Sequence, residues 1–78
     1  MRAYTCEVEY RIDGVRPTTE IVFEDSAELA VIRYLNTTLR YANRMNLPKH
    51  YERLAKVNAT GYGESAVAVR TEGRWQWA

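Results

Sequence analysis

Tyr4, Cys6, Val8, Tyr10 and Ile12 are apolar, while Thr5, Glu7, Glu9 and Arg11 between them are polar, so the chain begins with an unbroken period of two. Successive side chains of a strand point to opposite faces, and this spacing therefore predicts a half-buried strand whose apolar face needs a second layer over it. Asp13-Gly14 supplies a turn. A second alternating run follows, with Thr19, Ile21 and Phe23 set against Glu20 and Glu24. Pro17 has no N–H to give a ladder, which predicts a loop of about four residues, Asp13 to Arg16, rather than the tightest hairpin turn. Such a loop pairs even residues of the first strand with odd residues of the second. Both apolar sets then share one face, and Glu7, Glu9, Glu20 and Glu24 share the other, with Glu9 opposite Glu20.

Apolar residues next recur at helical spacing at Ala27, Val31, Tyr34, Leu35, Thr38 and Ala42, with Asp25 as cap and Glu28 in capping-box position. An amphipathic helix from about Ser26 to Met45 is expected to seal the hairpin, stopped by Asn46 and Pro48. Between Pro48 and Tyr62 helical and alternating patterns overlap, and the reading is a short helical turn passing into a strand near Leu54. Ala66 to Thr71 and Arg74 to Trp77 are two further strands joined at Glu72-Gly73. The expected fold is α+β, a two-layer sandwich in which an antiparallel sheet of four to five strands (ββαββ or ββαβββ) carries one long helix on one face.

A chain of 78 residues makes a single domain, 1–78. Its 46% hydrophobic and 27% charged content suits a globular protein, and no apolar run predicts a membrane span or signal peptide. One cysteine fits a reducing compartment, so a cytoplasmic protein is expected. Several chemistries lack their residues. One Cys and one His do not make a metal cluster; His50 reads as a surface or satisfied core histidine and Cys6 as a buried thiol. Gly61-Tyr62-Gly63 is not followed by a helix carrying Lys and Ser or Thr to receive phosphates, so it reads as a turn. The expectation is a non-enzyme with no cofactor.

Binding surfaces remain. Arg33, Thr37, Arg40 and Arg44 fall on one helical stripe, with Asn36 and Asn43 beside it. Such a stripe suits phosphates or an acidic protein surface, though a solvated helix face has the same pattern. Glu7, Glu9, Glu20 and Glu24 would meet a basic partner, or merely guard an edge against aggregation. Trp75 and Trp77 share one side of the last strand, as core if they face the helix and as a platform if they do not. Leu29 and Val22 fall among polar neighbours and are candidate exposed contacts.

The strand end Ile21-Val22-Phe23-Glu24, the cap at Asp25-Ser26 and the helix opening Ala27-Glu28-Leu29-Ala30 give a layout similar to small phage proteins, including anti-CRISPR proteins and phage inhibitors of host enzymes. It also resembles β-grasp interaction domains, apart from the long segment before the final hairpin. The first resemblance implies an inhibitor, working in the host cytoplasm, that occludes a protein or ribonucleoprotein target through a charged face. The alternative is direct nucleic-acid binding by the arginine stripe and exposed aromatics, and a third reading is a module that oligomerises through strand edges.

Overall fold

The computed structural model of the chain describes residues 1–78. Its elements run β1 (Arg2–Tyr10), β2 (Thr18–Glu24), α1 (Ala27–Arg44), α2 (Lys49–Glu52), β3 (Leu54–Gly61), β4 (Glu64–Thr71) and β5 (Arg74–Trp77). The five strands form one antiparallel sheet in the order β2-β1-β3-β4-β5, so β2 and β5 are its edges. One helix layer covers one face. The α+β sandwich expected from the periodicities is therefore the observed fold, in its five-strand form.

Each join between elements has a local cause. Ser26, not Asp25, caps α1: its hydroxyl accepts from the Leu29 N–H at 3.2 Å. At the other end Asn46 takes a left-handed φ of 55°, the Leu47 N–H reaches back to the Ala42 carbonyl at 2.8 Å, and the Asn46 N–H reaches Asn43 at 3.3 Å. Those two bonds close a Schellman turn, with Asn where Gly is commonest. Tyr62-Gly63 and Glu72-Gly73 both have positive φ at each residue, as the tight turns joining β3 to β4 and β4 to β5 require.

The core is small and seals the space between α1 and the sheet. Tyr4, Cys6 and Val8 of β1 are fully buried, with Leu54, Val57 and Ala59 of β3, Ala66 and Ala68 of β4, and Ala27, Ala30 and Val31 of α1. Alanines on both sides let helix and sheet approach closely. The first strand's alternation holds from Tyr4 to Val8, with Thr5 and Glu7 out, but β1 shifts register at Glu9/Tyr10 and ends at Tyr10, so Ile12, expected on the inward face, lies in the loop and is exposed.

The second strand departs from expectation. Its ladder pairs Tyr4 with Val22, Cys6 with Glu20 and Arg2 with Glu24, even with even, because residues 11–17 all lie between the strands instead of a four-residue loop. A change of one in register moves every side chain of a strand to the other face. Val22 consequently packs against the core, whereas Ile21 and Phe23 project from the uncovered face, each 57% exposed. Glu20 and Glu24 lie on the helix side. Glu9 faces Lys56 of β3, with 3.6 Å between their charged atoms, and not Glu20.

In the last hairpin the register places Trp75 and Trp77 opposite Arg70 and Ala68, on the helix side. Trp75 packs against the core and Trp77, at the end of the edge strand, stays 51% exposed. Leu29 is exposed, as its place on the wheel implied.

Candidate functional site

Because β2 leads directly into α1, the start of the helix lies over the beginning of β1 and its end lies over the 11–17 loop. This sorts the charges along the molecule. Near the start of α1 stand Glu24, Asp25, Glu28 and Glu64, with Arg2; near its end stand Arg40, Arg44, Lys49 and Arg53, with Arg11 and Arg16 on the loop, against Asp13 and Glu52.

The acidic end is a closed network. Glu64, at the head of β4, accepts from the Ala27 N–H at 3.2 Å through Oε1, and from Tyr4 Oη at 2.9 Å and Arg2 Nη1 at 3.1 Å through Oε2. It satisfies one of the free N–H groups of the first helical turn from across the fold. Those bonds, led by the one from Ala27, hold its carboxyl below the usual range. Tyr62 closes the site, its ring edge-on to Tyr4 at 5.5 Å and covered by the Arg2 guanidinium at 5.3 Å.

The basic end is open. A concavity of about 590 Å³, the largest of the molecule, lies between the 11–17 loop and the α1–α2 junction, with Arg11, Lys49 and Arg53 in its wall and Ile12, Leu47 and Pro48 as apolar lining. Through His50 and Arg53 it continues into a second hollow under Tyr10, Tyr34 and Tyr41. Through Tyr41 and Thr37 that hollow reaches a third, flanked by Arg40 and Arg44. The first two hollows lie between the β1–β2 hairpin and the helices, and the third, lined by α1 alone, adjoins them; together they are called the groove.

Its cations are not neutralised. The ion pairs of the molecule join the N-terminus to Asp25, Arg2 to Glu64, Arg33 to Glu24 and Lys56 to Glu9, so Arg11, Arg40, Arg44, Lys49 and Arg53 have no carboxylate within ion-pair distance. Arg53 lies over the Tyr10 ring at 5.1 Å, and its buried Nε has no hydrogen-bond partner. The acids of the lining are Glu20 and Glu52. Burial, with smaller contributions from Tyr10 and Glu20, pushes the Tyr34 phenol up to about 12, so the groove floor stays neutral there.

α2 owes its position to Arg70, whose Nη1 donates to the carbonyls of Glu52 at 2.9 Å and Tyr51 at 3.3 Å and whose guanidinium covers the Tyr51 ring at 5.6 Å. Lys49 and Arg53, four apart, are thereby set on the groove.

The residues singled out from the sequence are divided by this geometry. Arg40 and Arg44 lie in the groove. Arg33 is spent on Glu24 at 3.0 Å, and Asn36 is exposed on the outer helix surface away from the groove. Glu7 and Glu9 do project from the uncovered sheet face, but Glu20 enters the groove and Glu24 turns to the helix, so no face of four glutamates exists. The sequence pattern places Arg11 only as a polar strand residue and does not single out Lys49, Arg53 or Tyr41 as site residues; the four-residue spacing of Lys49 and Arg53 is the one signal it carries. His50, read as a surface or satisfied histidine, stands edge-on to Tyr41 at 5.7 Å where the first two hollows meet. Cys6 is fully buried, and burial, then Glu20, pushes its thiol up to about 11. No three His, Cys, Asp or Glu side chains come together as metal ligands, and no helix is long and apolar enough to cross a membrane.

Comparison with known protein families, with characterised proteins and with solved structures gives no match to this chain.

Proposed function

We propose that the chain is a non-enzymatic binding protein that occludes a macromolecular target, a protein or ribonucleoprotein, by laying its basic groove on an anionic surface. The observation that carries this reading is that Arg11, Arg40, Arg44, Lys49 and Arg53 line adjoining hollows at one end of the molecule with no ion-pair partner of their own. Gathering like charges in a domain this small opposes folding, and a partner of opposite charge offsets that cost. The part of the reading that makes the chain an inhibitor, of the kind encoded by phages and mobile elements and acting in the host cytoplasm, rests on the similarity of layout.

The test compares two charge reversals in affinity capture from a host lysate. Arg40→Glu with Arg44→Glu removes the captured partner while Glu7→Lys with Glu9→Lys retains it. Retention by the arginine variant, with loss by the glutamate variant, would move the contact to the sheet face and overturn the proposal. A second reading, direct binding to nucleic acid, is favoured by one feature: the Tyr41 ring, 42% exposed, stands in the groove wall with Arg40 and Arg44.

A further inference from the structure

We infer that the groove takes one unpaired strand of nucleic acid, free or carried on a ribonucleoprotein, with phosphates on the cations and a base against Tyr41. The inference rests on the binding reading above and supplies its chemistry.

The arrangement separates the candidates for an anionic occupant. An acidic protein surface needs cations alone, whereas here rings alternate with them along the groove: Tyr41 with Arg40 and Arg44, then His50 edge-on to Tyr41, then Arg53 over Tyr10. Alternating charge and aromatic faces match a single strand, whose backbone follows the charge and whose bases stack on rings. A duplex is approached by a convex element, a helix or ribbon entering its groove, and keeps its bases stacked on each other. This surface recedes. Ile12, Leu47 and Pro48 give the large hollow an apolar lining that a base or sugar covers and an inorganic anion does not.

The experiment is fluorescence anisotropy of labelled oligo-dT and oligo-rU of about 15 nucleotides, with a duplex of the same length and poly-glutamate as competitors. Contacts from five cations predict a log–log salt slope near −3.5 for a single strand, or about a hundredfold weaker binding between 50 and 200 mM salt. Arg40→Glu with Arg44→Glu lowers that slope by about 1.4 or more. Tyr41→Ala weakens binding about tenfold while Tyr41→Phe keeps it, which separates a stacking ring from a hydroxyl contact. Circular dichroism of each variant checks that the fold stands. The two oligomers against each other tell DNA from RNA.

Equal competition by duplex, or indifference to Tyr41→Ala in a folded variant, would overturn the single-strand inference. If neither oligomer binds but labelled poly-glutamate does, the inference falls while the binding reading survives. If the groove variants also leave partner capture unchanged, both fall.

Discussion

Glu64 joins three elements through one carboxylate, holding Ala27 of α1, Tyr4 of β1 and Arg2. Its carboxyl is held below the ordinary value of 4.5, so in acid the unfolded chain takes up a proton that the folded chain refuses. The stability it contributes is present above that value and is lost as pH falls through the lower folded one. Thermal melts between about pH 2.5 and 7 are expected to show a steep loss below about 4.5, and Glu64→Gln to lower the midpoint at neutral pH and flatten the acid limb. Cys6 acts at the opposite limit. Its thiol is raised from 9.0 to about 11, so the folded protein keeps a proton the unfolded chain has lost, and stability present below about 9 declines towards 11. The full range is worth about 2–3 kcal/mol. Cys6→Ala should remove that part of the alkaline loss in chemical denaturation, and native Cys6 should resist alkylating reagents.

At the scale of elements, the ends of α1 are set by side chains within a few residues of them, which is why the helix was legible in the sequence almost to its ends. Asn46 tests this. Its left-handed φ disfavours any residue with a Cβ and no local hydrogen-bonding group, so Asn46→Ala should cost about 1 kcal/mol and Asn46→Gly be neutral or stabilising, as read from denaturant midpoints. β2 shows where local reading stops. Its alternation was visible, but which set faces the helix depends on the register, and the register depends on a loop of residues 11–17 whose length no local pattern announced. Ile21 and Phe23 looked like the inward set by size, yet Val22, opposite Tyr4, packs on the core. The segment after Pro48 was legible as both helix and strand because it is both, α2 and then β3 from Leu54.

For the whole molecule, the sequence suggested two charged faces and the fold makes two charged ends. Arg33 and Glu24 had been set on opposite sides of the sandwich and are instead joined at 3.0 Å, a consequence of the same register. Of the lysines and arginines without an ion pair, Arg40 and Arg44 of α1 and Lys49 and Arg53 around α2 share one stretch of chain, and the return of α1 over the hairpin brings Arg11 of the loop beside them. Two of the five cations of the candidate site, Arg40 and Arg44, were therefore readable in a helical stripe, and the rest became visible only in three dimensions. The most direct measurement is an amide chemical-shift titration of the isotope-labelled protein with a simple polyanion such as polyphosphate. The account predicts salt-sensitive shifts confined to the 11–17 loop and to the stretch from Arg40 to Arg53. Shifts centred on the sheet face around Glu7, Ile21 and Phe23, or a molecule indifferent to the polyanion at low salt, would contradict it.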